Sequence, residues 1–161
     1  MDLLHLMNLI RQERTCRVLP AHEQPVLPDD VFLPGDLREF YQLCGGVYLF
    51  EAQGYGIKIV EPYEMRRADP VVAGVEDEVN ISFNWFIIGH APELGQYISI
   101  DLSKTRKGWC YDSFWETHGQ PGNMPVVAHS FTGLLGQLLQ SRGNRWYWLQ
   151  NNFVSLGDAY D

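Results

Sequence analysis

The chain has 161 residues, enough for one domain that buries roughly two thirds of the surface of its unfolded chain. Twelve basic and twenty acidic residues give a formal net charge of −8, which argues against nucleic-acid binding because phosphate contacts need a basic surface. The same charge favours a basic protein partner, although solubility is the commoner reason for an acidic composition.

The cysteines and the N-terminal residues indicate the cellular compartment of the protein. Cys16, Cys44 and Cys110 are far apart and form no CxxC pair, so we expect reduced thiols in the core of a cytoplasmic protein. The N-terminal residues lack the basic start of a signal peptide, and no run reaches the ~18 apolar residues of a membrane span. We therefore predict a cytoplasmic protein that does not bind membranes.

Two helices are predicted near the N-terminus. Apolar residues at helical spacing predict a helix over residues 2–15, and a proline-containing connector follows it. The stretch LPGDLREFYQLCGG, residues 33–46, predicts a second, short helix. Pro34 suits its first turn, and Gly45 and Gly46 are expected to end it because glycine adopts the left-handed conformation without steric cost.

Short strands follow the second helix. Period-two or continuous apolar patterns predict them at VYLFE, YGIKIV, NWFIIGH, QYISID, WCYDSF and MPVVA. A last helix begins near Ser130, which can cap it, and an aromatic tail occupies residues 144–161. This order predicts an α+β fold over residues 1–161, with a single mainly antiparallel sheet flanked by helices.

Two carboxylates lie in the predicted hairpin that joins QYISID to WCYDSF. If Leu102 pairs near Trp109, Asp112 lies almost opposite Ser99, and two strand positions separate it from Asp101. A glycosidase pair needs a defined separation and one raised pKa. We favour surface acids over a catalytic pair, and both interpretations stay open on the sequence.

Other motifs of catalysis or ligand binding are absent from the sequence. It has no GxSxG elbow, no HxxxH or HxH spacing, no GxxxxGK loop and no GxGxxG loop. The neighbouring His129 and Ser130 are better explained as a helix start than as a base and a nucleophile. We therefore predict a protein that is not an enzyme and has no metal site and no cofactor.

One charge pattern remains. No basic residue occurs between Arg67 and Lys104, although the interval contains many acids, and further acids follow on the next strand and loop: Asp69, Glu76, Asp77, Glu78, Glu93, Asp101, Asp112 and Glu116. Tryptophans and a tyrosine interleave with them: Trp85, Tyr97, Trp109 and Trp115. Aromatic anchors among charges are typical of binding surfaces. The alternative is a set of core tryptophans below a solvated rim.

The order of several motifs resembles a known family. The motifs are Leu33-Pro34, Phe40-Tyr41, Gly45-Gly46, Ile88-Gly89, Gly95, Ile98-Ser99-Ile100-Asp101, Gly108-Trp109-Cys110-Tyr111 and Val127-Ala128-His129-Ser130-Phe131 with Leu134-Leu135. Together they resemble the SUKH superfamily, in its branch like the fungal Smi/Knr cell-wall regulators. The resemblance covers about residues 33–139, leaving the first helix and the aromatic tail as additions. Cys44 stands where the family commonly has asparagine.

The resemblance implies an interaction protein. Bacterial members are mostly thought to be immunity proteins that neutralise a cognate toxin, often a nuclease, and other members serve other interactions. We therefore expect an immunity protein, a monomer or weak dimer, that occludes a basic toxin with an acidic, aromatic-rich face. The expected contacts are Glu76, Asp77, Glu78, Glu93, Asp101, Asp112, Glu116, Trp85 and Trp115.

Two other functions stay open. The first is a regulatory domain that binds a small ligand or peptide in a pocket lined by Trp85, Trp109 and Tyr111. The second is a hydrolase that uses Asp101 and Asp112.

Overall fold

A computed structural model describes residues 1–161. Its centre is a seven-stranded antiparallel sheet in which every strand pairs with its neighbours in sequence order. The strands are β1 Arg17–Val18, β2 Val47–Leu49, β3 Ile57–Ile59, β4 Trp85–Ala91, β5 Gln96–Asp101, β6 Cys110–Asp112 and β7 Val126–Ala128. Four helices accompany the sheet: α1 Leu3–Gln12, α2 Gly35–Leu43, α3 Ala68–Ala73 and α4 Phe131–Ser141. The predicted α+β class is confirmed.

The helix ends have local causes. The Asp2 side chain caps α1 by accepting from the His5 N–H at 2.9 Å, and Ser130 caps α4 by accepting from Gly133 N–H at 3.0 Å. At the exit of α2 only Gly46 has a positive φ, of 131°. Gly45 is needed for a different reason than the one predicted, because a Cβ there would lie 2.3 Å from the Pro20 carbonyl oxygen.

One face of the sheet is covered by α1, α2 and α4, which pack against one another. Phe40 of α2 and Phe131 of α4 are fully buried, and their rings meet edge to face with centroids 4.8 Å apart. The hydroxyl of Tyr41 donates to the Val60 carbonyl at 2.8 Å, which ties α2 to the end of β3. These contacts make the helices and the sheet share one hydrophobic core.

The other face of the sheet is covered only in part. The segment after β6 and the C-terminal tail fold over β4–β6, where Trp85 contacts the rings of His118 and Tyr160. Ser99 and Asp101 are therefore buried although they alternate with the core residues of β5. Over β1–β3 the same face is open to solvent. The covered part and the open part of this face therefore carry different side chains, which are described below.

The register of the β5–β6 hairpin differs from the predicted one by a residue. Asp112 lies opposite Ile98, not Ser99. The cause is a bulge, because the Asp101 carbonyl accepts from Gly108 N–H while the Asp101 N–H donates to the Trp109 carbonyl, both at 2.8 Å. Gly108 and Trp109 therefore both lie opposite the single residue Asp101. Gly108 takes the positive φ of 95° that the bulge requires.

The aromatic tail closes the sheet at its β7 edge. Val126 N–H donates to the Gly157 carbonyl at 2.9 Å, and Ala159 N–H donates to the Met124 carbonyl at 2.8 Å. Trp146 and Trp148, which precede this segment, stack with centroids 5.6 Å apart. The tail outside the predicted family-like core thus contributes both packing and strand pairing.

Replacing Phe131 by alanine tests the contact between α2 and α4. We expect Phe131→Ala to lower the free energy of unfolding by about 3–5 kcal/mol, because it opens a cavity beside Phe40. Urea unfolding followed by circular dichroism measures the change. The control Phe32→Ala removes a ring that is 58 % exposed and should cost under about 1 kcal/mol. Equal costs for the two variants would contradict the central role of this contact.

Candidate partner-binding surface

The predicted contact residues separate into an exposed and a buried group. Exposed are Glu76, Asp77, Glu78, Glu93, Glu116 and Trp115, and buried are Asp101, Asp112 and Trp85. The exposed group belongs to two parts of the surface, the loop before β4 and the turns that precede β5 and follow β6. The buried group has structural contacts, so these three side chains do not belong to the exposed face that the sequence predicted.

Asp101 is held at the end of β5. Its carboxylate accepts from the Tyr111 hydroxyl at 2.6 Å and from Ser103 N–H at 2.9 Å. Burial and the neighbouring carboxylate raise the pKa of Tyr111 well above its ordinary value, so that hydroxyl stays a donor. Trp85 lies directly opposite Asp101 on β4 and is fully buried. These residues hold the covered sheet face together and do not reach a partner.

Asp112 is buried on the opposite face of the sheet. It accepts from Gln96 Nε2 at 2.6 Å, from Phe114 N–H at 3.1 Å and from the Trp148 indole at 3.1 Å. Burial raises the pKa of Asp112 despite these bonds. Since Asp112 pairs with Ile98, three positions from Asp101 along β5, the two carboxylates lie on different faces. The structure therefore does not bring them together as a catalytic pair.

The acidic loop, residues 75–81, combines charge with exposed apolar side chains. Its acids are Glu76, Asp77 and Glu78, and its exposed apolar residues are Val75, Val79 and Ile81. Val79 is 86 % exposed, and with Val75 and Ile81 it places several apolar side chains among the acids. A solvated acidic rim does not need these apolar groups. The composition is typical of a surface that excludes water against another protein.

Arg67 fixes the position of the acidic loop. Its guanidinium lies 3.7 Å from the centroid of the Phe83 ring and donates to the Phe83 carbonyl. Its Nε is 3.6 Å from a carboxylate oxygen of Glu76, the one ion pair that the loop acids make. Asp77 and Glu78 have no cationic partner within the chain. The acidic loop therefore presents net negative charge to solvent.

The tryptophan patch comprises Glu93, Leu94, Trp115 and Glu116. The main-chain N–H of Trp115 donates to the Gly95 carbonyl at 3.1 Å, and the indole ring of Trp115 covers the α-carbon of Gly95. Trp115 is 56 % exposed and Leu94 is 42 % exposed, so both present apolar area to solvent. The two carboxylates flank them. This patch repeats the combination of apolar groups and acids that the acidic loop shows.

A buried hydrogen-bonded network joins the two parts of the surface. Asp69 of α3 accepts from the Ser82 hydroxyl and from His118 Nε2, each at 2.7 Å, and all three residues are buried. Ser82 follows the acidic loop directly, and His118 lies three residues after Trp115. Burial by itself raises the pKa of Asp69, but the bonds from His118 and Ser82 outweigh it and the pKa is lowered. The network links the segment that follows the acidic loop to the segment that carries Trp115.

The pocket predicted between Trp85, Trp109 and Tyr111 does not exist. Trp85 and Tyr111 are fully buried, with ring centroids 4.7 Å apart, so the rings fill the space that a ligand would need. Trp109 lies elsewhere and contacts the rings of His129 and the guanidinium of Arg106. The hypothesis of a ligand pocket lined by these three residues is therefore wrong.

The remaining features concern the cysteine thiols, possible metal ligands and membrane-spanning helices. The three cysteines are free, and burial raises the pKa of Cys44 to about 11 and also raises that of Cys110. No cluster of three or more His, Cys, Asp or Glu side chains has the arrangement of a metal site. None of the four helices is long and apolar enough to cross a membrane.

One concave region of the surface was not predicted from the sequence. A cavity of about 270 Å³ lies on the open part of the second sheet face, between the β2–β3 and β4–β5 turns. Tyr48, Lys58 and His90 are among its lining residues. The only signal in the sequence was the alternation of these residues with core positions, as in Ile57-Lys58-Ile59, and it gave no indication of which strands lie side by side.

The pH dependence of stability tests the Asp69 network. Asp69→Asn should lower the free energy of unfolding by about 1–3 kcal/mol at pH 7, because a buried donor loses its ionised acceptor. The folded pKa of Asp69 lies below its ordinary value of 3.8. Its contribution is therefore present above that value and is lost as pH falls through the folded pKa. The difference between wild type and variant should narrow below about pH 4.

Urea unfolding at several pH values between 3 and 7 gives this difference. Glu78→Gln serves as the control, since Glu78 is exposed and makes no hydrogen bond, and it should change stability little at pH 7. A cost of Asp69→Asn that stays constant across the whole range would contradict the assignment.

Gly95→Ala tests the position of Trp115. An added Cβ would lie 2.3 Å from Cδ1 of Trp115, and Gly95 has a positive φ of 64°. The control Gly122→Ala has a similar φ of 83° with nothing within 4 Å. Both should cost about 1–2 kcal/mol for the left-handed backbone. Only Gly95→Ala should change the summed tryptophan emission and its quenching, to which Trp115 contributes the most exposed of the five indoles. Unchanged emission and acrylamide quenching in Gly95→Ala would place the indole elsewhere.

The comparisons with known proteins agree with this architecture. The SMI1 / KNR4 family (SUKH-1) matches residues 30–137, close to the predicted core of 33–139. Over 156 residues the chain is 44 % identical to "Immunity protein YokJ" of Bacillus subtilis (strain 168), which covers 97 % of this chain and 94 % of that relative. No solved structure matches the chain. The resemblance seen in the sequence is confirmed, and the chain belongs to the SMI1 / KNR4 family (SUKH-1).

Proposed function

We propose that this protein is a bacterial immunity protein that binds a basic protein toxin in the cytoplasm and neutralises it by occlusion, without catalysis. The observation that carries the proposal is the similarity to an immunity protein over 97 % of the chain. The exposed acids and apolar groups of the acidic loop and the tryptophan patch support a function in contacts. We propose that the protein acts as a monomer or weak dimer.

Charge supports a basic partner. Four of the five exposed acids on this surface, Asp77, Glu78, Glu93 and Glu116, have no ion-pair partner within the chain, and Glu76 is paired with Arg67. A surface that carries only negative charge accelerates the encounter with a positively charged protein and disfavours the binding of acidic proteins. A nuclease toxin suits this surface, since its substrate groove must be basic to bind phosphates. Covering that groove would block the substrate without any chemistry.

The apolar groups support a stable complex. Long-range charge attraction speeds association, but affinity depends on well-packed anchors at the centre of an interface. Trp115, Leu94 and Ile81 supply exposed apolar area beside the acids. Because the Asp69 network holds the segments next to both parts in place, little ordering is required when a partner binds.

Protection of cells tests the function itself. The probe is the C-terminal domain of any large secreted protein that the neighbouring upstream gene is found to encode, expressed in cells with or without this protein. We expect growth only when this protein is present, and co-purification of the two chains. Normal toxicity in its presence, with no complex, would refute the proposed function for that toxin.

Neutralising the acidic loop tests the surface. The triple variant Glu76→Gln, Asp77→Asn and Glu78→Gln should weaken toxin binding by about 2–3 kcal/mol and reduce its salt dependence. Isothermal titration calorimetry at two salt concentrations measures both. The control triple Glu23→Gln, Asp29→Asn and Asp30→Asn removes equal charge from exposed positions on the connector before α2. Equal effects of the two triples would show that only net charge matters.

A further inference from the structure

A row of side chains crosses the open part of the second sheet face. Arg17 of β1 lies opposite Tyr48 of β2, Tyr48 opposite Lys58 of β3, Lys58 opposite His90 of β4, and His90 opposite Tyr97 of β5. Residues directly opposite in antiparallel pairs share a face and lie about 5 Å apart. The five side chains therefore form one continuous row across five strands, and none of them is buried.

Cations and rings are in contact along this row. The guanidinium carbon of Arg17 is 4.1 Å and the Lys58 ammonium 5.1 Å from the centroid of the Tyr48 ring. His90 and Tyr97 stack, with centroids 4.4 Å apart and planes 14° apart. No cation of this chain lies over Tyr97. The row thus ends on a partly buried aromatic pair, of which His90 lines the cavity and Tyr97 stacks behind it.

Carboxylates outnumber cations around the row. Arg17 forms a bidentate pair with Glu51, at 2.9 and 3.0 Å, and Lys58 contacts Glu61 and Glu64, each at 2.9 Å. Three carboxylates therefore neutralise two cations, and Glu93, at the rim of the cavity, has no ion-pair partner. The four carboxylates and two cations leave a net charge of −2. The local field favours a third cation.

The cavity also offers a hydrogen-bonding group. His90 lines it, and the Nε2 atom of His90 is buried without a hydrogen-bond partner. Burial lowers the pKa of His90, which keeps the ring neutral at pH 7. The volume of about 270 Å³ lies just below the range of about 300–1,000 Å³ that is typical of pockets for drug-sized ligands. It suits a single long side chain better than a free metabolite.

We propose that this cavity receives an arginine side chain of the partner protein, whose guanidinium lies against the His90 ring, on the face away from Tyr97, and bonds to Glu93. The proposal rests on the proposed function, which requires a basic partner. Arginine fits better than lysine because its planar group stacks on rings and carries five donors in a fixed arrangement. Glu93 belongs both to this cavity and to the tryptophan patch, so one partner reaches both.

A titration with a capped amino acid tests the site without any toxin. The probe is N-acetyl-arginine N-methylamide, added to the full ¹⁵N-labelled chain, and the comparison is N-acetyl-citrulline N-methylamide, which has the same shape but no charge. We expect saturable shifts of the His90, Glu93 and Tyr97 amides with an affinity in the millimolar range. Citrulline should bind at least about tenfold more weakly. Equal responses to both probes, or shifts that centre elsewhere, would overturn the proposal.

Paired variants assign the binding to the row. Tyr97→Leu and Glu93→Gln should each weaken arginine binding at least about threefold, because one removes the ring that holds His90 in place and the other removes the charge. Tyr63→Leu and Glu39→Gln change the same residue types at exposed positions outside the row and should leave binding unchanged. Amide spectra that coincide with wild type outside the row show that each variant is folded. Equal weakening by the control variants would refute the site.

The results separate this proposal from the proposed function. If the arginine probe fails to bind while cells are still protected from the toxin, the cavity assignment is wrong and the immunity function stands. If the probe binds as expected but no protection occurs, the cavity is a guanidinium site and the proposed function is wrong.

Discussion

The carboxylate of Asp69 is shared by two donors from segments that are distant in sequence, and the proposed surface depends on that sharing. Ser82 comes from the end of the acidic loop and His118 from the turn beyond β6. A buried carboxylate is tolerated only when hydrogen bonds replace its lost hydration, and here both oxygens have a donor. The same bonds that stabilise Asp69 therefore determine where the acidic loop lies relative to Trp115.

The cations near this surface are already engaged in the fold. Arg67 binds the Phe83 carbonyl and ring, Lys58 is paired with Glu61 and Glu64, and Arg106 donates to main-chain carbonyls of the C-terminal tail. None of these cations pairs with Asp77, Glu78, Glu93 or Glu116, so these four acids keep their negative charge without an ion-pair partner in the chain.

Much of the fold could be predicted because it follows from local patterns. The caps, the apolar stripes of α2 and α4 and the order of short strands are encoded within a few neighbouring residues. The segment of exposed acids, Glu76 to Glu78, could also be placed on a loop from its composition. The α+β class and the family followed from the order of these elements.

The burial of Asp101, Asp112 and Trp85 could not be predicted in the same way. It depends on the segment after β6 and on the C-terminal tail, which fold over the sheet from far away in sequence. The register of the hairpin depended on one bulge at Gly108, and the cavity depended on which strands lie side by side. Such features are set by tertiary contacts that no window of neighbouring residues contains.

The pairing of the C-terminal tail with β7 bears on how any partner is recognised. The tail uses the free hydrogen-bonding groups of that strand, and the strand at the opposite edge of the sheet has only two residues. Another chain therefore finds no long backbone edge to extend, and recognition has to rely on side chains. Selectivity in such a molecule is adjustable by single substitutions on loops while the scaffold beneath stays intact.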